Sequence, residues 1–295
     1  MNIRQRFFSI CLAGLSFIAP AHAETITPKI VGGTTVTTAP SWMAALWVDT
    51  DGEIGFCSGT LIDTQWIMTA AHCVETIGTP VITAQIGQAD ITEPLNLAVV
   101  DKIIISPNYN SSTMYGDIAL LHITTPQYVT TVTLPYSYAS SSELYEGMQM
   151  RVYGWGETSA GVTAEYAEAT PYLQTATLTF QGFNYEFPDH IFAGDYGKDT
   201  CFGDSGSPLL NDDDGIQYGI TSFGVADSYD DYTCGTGIPG GYTDVSHYSN
   251  WIDDTIAWVD GTDDNHHSGG GGSGAELALM GLALLLLRLG FRFRL

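Results

Sequence analysis

From Ile30 to about Val245 the chain is a succession of short β-branched and apolar runs broken by Gly, Pro, Asn and Asp. Ser41–Val48, Gly59–Ile67, Val81–Ile86, Leu97–Ile105, Ile118–Ile123, Met148–Tyr153, Thr175–Phe180, Ser207–Leu210 and Gln217–Phe223 read as strands. Strands at this spacing, with no helical pattern between them, specify an all-β barrel or sandwich. Helical periodicity enters only at the end. Tyr248, Trp251, Ile252, Ile256 and Val259 recur on one face with Asp253 and Asp254 on the other, which predicts one terminal amphipathic helix. The 295 residues suit one β domain of more than about 200 residues with additions at both ends.

The additions differ in kind. Arg4 and Arg6, the apolar stretch Phe7–Ala19 and the small-residue site Ala21-His22-Ala23 make residues 1–23 a secretory signal peptide. Residues 260–274 are a polar, glycine-rich flexible linker. Residues 275–295 hold the apolar run Leu277–Leu287 followed by Arg288, Arg292 and Arg294. That run is shorter than the roughly 20 apolar residues a comfortable bilayer span requires, so it reads as a temporary membrane handle.

Removal of the leader takes Cys11 with it and leaves Cys57, Cys73, Cys201 and Cys234, an even set suited to an oxidising compartment. Four cysteines allow three pairings, and the local pattern favours Cys57–Cys73 and Cys201–Cys234. No C-x-x-C pair occurs, which argues against structural zinc and redox chemistry. The formal net charge of −24 makes nucleic acid a poor partner and cationic substrates good ones. Between residues 30 and 259 only Lys102, Arg151 and Lys198 carry fixed positive charge.

Chemistry concentrates in Lys198–Pro208, KDTCFGDSGSP, where Ser205 stands between glycines and follows Asp204. A serine becomes a nucleophile only when a base takes its proton and a third group orients that base. The candidate base is His72 in TAAHC, delivered by the apolar run Leu61–Met68. The candidate orienter is Asp117 in YGDIALL, an acid opening an apolar strand, where an unpaired charge would cost several kcal/mol. The order His72, Asp117, Ser205 is one of the recurrent orders of this triad.

From Ile30 to about Val259 the chain resembles the trypsin-like (chymotrypsin-fold) serine peptidases. The resemblance rests on IVGG (Ile30–Gly33), FCSGTLI (Phe56–Ile62), TAAHC, GDIALL, GWG (Gly154–Gly156), GDSGSP and SFG (Ser222–Gly224). It implies two six-stranded antiparallel Greek-key β-barrels with the active site between them and a C-terminal α-helix. It also implies His72 as general base, Asp117 as its orienter, Ser205 as nucleophile and the N–H groups of Gly203 and Ser205 as the oxyanion hole. Residues 24–29 become an activation propeptide. A cut between Lys29 and Ile30 would free an ammonium to pair with Asp204. Asp199 lies at the base of the pocket for the residue preceding the cut, where a carboxylate selects Arg or Lys. Gly224 and Gly240 keep that pocket open, and Ser222 and Phe223 line the substrate path. No cofactor or metal is implied; Asp90 and Glu93 fall near the family's calcium loop without matching its spacing. The partners implied are protein or peptide substrates carrying Arg or Lys, and protein protease inhibitors.

There are departures from the family pattern. Ser207 replaces a glycine, and Phe223 stands where tryptophan is common. The segment from Gln181 to Phe192 lacks a disulfide often found there, so a looser loop is expected. The tail resembles the GlyGly-CTERM sorting signal of Gram-negative bacteria, which implies type II secretion, cutting by a rhomboid-like protease, transient membrane association, and release or display at the cell surface.

Overall fold

The computed structural model describes residues 30–75, 80–93, 95–137, 142–160, 169–225 and 234–261. The leader, the propeptide with Lys29, most of the linker and the apolar tail lie outside these. Thirteen strands and one α-helix form in the order β1 (Thr34–Thr35), β2 (Met43–Thr50), β3 (Glu53–Asp63), β4 (Trp66–Thr69), β5 (Val81–Ile86), β6 (Leu97–Ile105), β7 (Ala119–Ile123), β8 (Gln149–Gly154), β9 (Gln174–Asn184), β10 (Phe187–Ala193), β11 (Pro208–Asn211), β12 (Gln217–Phe223), β13 (Gly240–Asp244) and α1 (Ser249–Val259). Two closed six-stranded antiparallel barrels result. The first runs β2-β3-β4-β7-β6-β5, and the second runs β8-β9-β10-β13-β12-β11 and closes through β8–β9, with β1 added outside on β9.

Side-chain alternation explains how the barrels dock. Along β9 every second residue is buried, as expected of a strand with one face in a core. Along β2 the residues from Met43 to Val48 are all buried. Ala44, Leu46 and Val48 fill the first barrel with Leu61, Trp66, Ile67 and Leu121. Met43, Ala45 and Trp47 face outward and meet Phe56, Trp155 and Leu173. Edge-on ring contacts Trp47–Phe56 (5.7 Å) and Phe56–Trp155 (6.3 Å) complete that apolar seam.

The chain ends cross over. Ile30 is fully buried in the second barrel's core with Met150, Val152, Leu178 and Tyr242. Helix α1 instead places Ile252 on the first barrel's core, and Trp66 Nε1 donates to Asp260 Oδ2 at 3.3 Å. Disulfides Cys57–Cys73 and Cys201–Cys234 form, with Cα atoms 6.2 and 5.5 Å apart. Among the described residues no helix is long and apolar enough to cross a membrane.

Three details differ from the sequence reading. The run expected over Gly59–Ile67 is split between β3 and β4, because Asp63 Oδ1 accepts from Thr64 N–H and turns the chain. The segment expected to be a looser loop forms the β9–β10 hairpin, held by the backbone pairing of Phe187 with Asn184, Ile191 with Phe183 and Phe192 with Gly182. Strand β13 went unrecognised because its glycines disfavour the strand state. They are needed: a Cβ on Gly241 would lie 2.5 Å from Phe223 Cζ.

Candidate active site

His72 sits on a single 3-10 turn, Ala71–Cys73, directly after β4 and anchored by the Cys57 disulfide. Asp117 is fully buried just before β7, the neighbour of β4. One carboxylate oxygen accepts the backbone N–H of His72 at 2.9 Å and the other contacts its Nδ1 at 2.8 Å. An ionised carboxylate only accepts, so Nδ1 carries a proton, and in the neutral ring Nε2 holds the lone pair. The ring is therefore oriented and its tautomer set. Asp117 is held in turn from the second barrel: Ser222 Oγ donates to Oδ2 at 2.5 Å, and Thr243 Oγ1 donates to the Asp117 carbonyl at 2.9 Å.

Ser205 comes from the second barrel and is half-buried. Its carbonyl accepts the Ser58 N–H of β3 at 2.8 Å. The next residue, Gly206, has φ +78° and lies so close to the Ser58 carbonyl oxygen and Thr69 Oγ1 that any Cβ would collide with both. The serine loop is thus pressed onto the end of β4, three residues before His72. Gly203 has φ +92°, so only glycine relaxes there.

Asp204 is fully buried, with Oδ1 accepting Gly156 N–H at 2.8 Å and Oδ2 accepting Cys201 N–H at 2.9 Å. Burial pushes its carboxyl up to about 7; the two N–H donors oppose that shift and Glu157 adds to it. An unfolded aspartate ionises near 3.8, so between about pH 4 and 7 the folded chain holds the extra proton. Stability of the uncleaved chain should therefore fall as pH rises through that window, by on the order of 4 kcal/mol at most. Denaturant titrations of a Ser205→Ala precursor, with and without Asp204→Asn, check this. The asparagine variant should lose the dependence; an unchanged dependence overturns the assignment.

Asp199 is 2% exposed and its Oδ2 accepts Gly235 N–H at 3.2 Å. A Cβ built on Gly240 would stand 3.5 Å from Asp199 Oδ1, so the glycine leaves the approach to the carboxylate open. Val31 bridges to Asp199, and Asp199 N–H donates to the Val31 carbonyl at 3.3 Å. The segment starting at Ile30 is therefore joined to the backbone at Asp199. Gly224 and Phe223 are half-buried, and the Phe223 ring packs on Phe187 and His190 at 5.1 and 5.0 Å. Asp90, raised as a weak calcium candidate, accepts from Thr92 N–H and Oγ1.

The sequence reading passed over Thr243, Asp189, His190 and Tyr248. Tyr248 served only as a helix-face residue, yet its hydroxyl donates to buried Asp189 at 2.6 Å. The adjacent Asp-His pair in an apolar hairpin was the one available signal.

A histidine held by a buried aspartate, and a serine loop pressed onto the strand that leads to that histidine, are elements that acyl transfer uses. The family model described as Trypsin matches residues 30–252. Trypsin-3 of Salmo salar is 33% identical over 261 residues, spanning 82% of this chain and 98% of the salmon protein. The trypsin of Sus scrofa is 32% identical, spanning 78% of this chain and 96% of the pig protein. A solved structure described as HL collagenase aligns with TM-score 0.65 at 26% identity, covering 77% of this chain and 99% of that one.

Proposed function

The chain belongs to the trypsin family of serine peptidases, and on that premise we propose that this serine endopeptidase is exported, cuts after Arg or Lys, and is made as a zymogen activated after Lys29. His72 Nε2 takes the proton of Ser205 Oγ as that oxygen attacks the scissile carbonyl. The negative oxygen that develops is received by the N–H groups of Gly203 and Ser205, donors that gain most in the transition state. His72 returns the proton to the leaving amine, and a water follows the same route to release the acyl group. Asp117 stays ionised throughout and stabilises the imidazolium.

The observation that carries the specificity is the Asp199 carboxylate, buried under an opening kept clear by Gly240. A buried carboxylate calls for a counter-charge, and an Arg or Lys side chain supplies it. The Lys29–Ile30 junction has the same form as the proposed substrates, which fits self-processing. The freed Ile30 ammonium would be the partner of Asp204. The scarcity of Lys and Arg in residues 30–259 limits self-digestion.

Export rests on residues 1–23. The glycine-rich linker and Arg-ended tail support GlyGly-CTERM sorting through type II secretion and rhomboid-like cutting, with release or surface display by a Gram-negative bacterium. Protein protease inhibitors are the further partners in this reading.

The test combines a fluorophosphonate label with substrates varying only at the residue before the cut. The secreted form should begin at Ile30, take the label at Ser205, and turn over Arg and Lys substrates at least about a hundredfold faster than Phe or Ala analogues. Absence of labelling overturns the mechanism, and a preference for Phe overturns the specificity.

A further inference from the structure

Behind the first Asp–His pair lies a second, fully enclosed. Asp189 and His190 are each 1% exposed. Neighbours on a regular strand point to opposite faces, but the register of β10 on β9 shifts between Phe187 and Ile191, and both side chains end up inside. His190 Nδ1 lies 2.9 Å from Asp189 Oδ1. Asp189 Oδ2 accepts Gly116 N–H at 2.7 Å and the Tyr248 hydroxyl at 2.6 Å. His190 Nε2 lies 3.4 Å from Ser222 Oγ, the same hydroxyl that donates to Asp117. The connection therefore runs Asp189–His190–Ser222–Asp117–His72.

Counting protons gives the pair its charge. Ser222 has one hydroxyl proton, and the short contact commits it to the Asp117 carboxylate. Its oxygen is left as an acceptor, and a proton on the facing His190 Nε2, 3.4 Å away, would be its donor. Asp189 likewise accepts, so Nδ1 must donate. A ring that donates at both nitrogens is an imidazolium. Its surroundings suit a cation. Burial alone would raise the Asp189 carboxyl, but the hydrogen bond and charge of His190, with Tyr248 and Gly116, hold it below the usual carboxylate range. The Phe223 ring lies 5.0 Å from the imidazole, within reach for a cation on an aromatic. From β13 the residue opposite His190 is uncharged Thr243. Among the described residues, the other titratable groups around this knot are Asp117 with His72 behind it and Tyr109 near it, Tyr248, and Tyr115 and Asp244 near the Tyr248 hydroxyl.

We propose that Asp189 and His190 are a positioning pair for the triad: an enclosed ion pair that fixes the Ser222 hydroxyl on Asp117 and places positive charge behind it. This rests on His72, Asp117 and Ser205 being that triad. The enclosed pair reaches Asp117 through the Ser222 hydroxyl and through the N–H of Gly116, the residue before it. A cation behind Asp117 offsets part of the carboxylate charge that faces the His72 imidazole.

A double-mutant cycle on the full, activated enzyme tests this, with competent sites counted by fluorophosphonate titration. His190→Met should lower kcat about tenfold, leave KM within about twofold, and move the acidic limb of the kcat/KM profile upward by about half a pH unit. Ser222→Ala should also lower kcat, and adding His190→Met to it should cost clearly less than His190→Met costs alone, since the hydroxyl link is already cut and only the charge is lost. Additive losses, or an acidic limb that stays in place, overturn the proposal. If His190→Met does not accumulate folded, His190→Gln keeps a donor without the charge and should still move the limb; an unmoved limb counts against the pair. Failure of the wild-type enzyme to label would instead overturn the triad beneath it.

Discussion

Ser205→Ala should lower kcat by about a millionfold while leaving the fold intact. The hydroxyl is the proposed nucleophile, and the other serine of the loop, Ser207, is fully buried. Removal of the oxygen makes His72 and Asp117 redundant, because an oriented base with no alcohol to deprotonate has nothing to do. The loop itself is held by the Ser205 carbonyl on Ser58 N–H and by the fit of Gly206 against β3 and β4, neither of which involves the side chain. Thermal melting should therefore be nearly unchanged. Residual turnover of about a thousandfold over water, from the N–H donors and binding, is the expected floor. A variant retaining a tenth of wild-type activity after inhibitor treatment to remove contaminating enzyme would exclude Ser205 as nucleophile.

Asp199→Ser should lower kcat/KM for arginyl substrates by about ten-thousandfold. A guanidinium or ammonium brought up to a carboxylate this buried loses its water, and Asp199 is the counter-charge proposed to make up for it. With serine in its place the cation meets a hydroxyl that cannot neutralise it. Substrates with Phe or Leu before the cut should change little, since they never used the carboxylate. Their ratio to arginyl substrates is the decisive measurement. Equal losses for all substrates would mean that the variant disturbed the Val31 bridge and the pocket floor, and would remove Asp199 as the selector.

The residues proposed to do chemistry were legible because each sits in a short motif whose local conformation is self-contained. TAAHC makes one 3-10 turn, and GDSGSP makes one glycine-hinged loop. The all-β class was legible from the runs between turns. What surrounds the site was not. His190 reaches Ser222 only because a register shift in β10 turns it inward and β12 runs close by, and no local pattern encodes that meeting. The missing disulfide made the β10 segment read as a loop, and its Pro188 and Asp-His pair offer no strand pattern to counter that. Strand β13 was hidden for the opposite reason: its glycines answer to the Phe223 ring, a tertiary demand that overrides strand preference.

The crossing of the chain ends has a consequence for how such a molecule can be cut or rebuilt. The first barrel's own leading segment completes the core of the second through Ile30, with β1 laid along β9. The second barrel's trailing helix completes the core of the first through Ile252. Each barrel therefore holds a piece the other needs, like two boxes closed with each other's lids. Severing the connection between β7 and β8 would leave halves that remain clasped, whereas either half made alone would carry a lid for an absent box and lack its own.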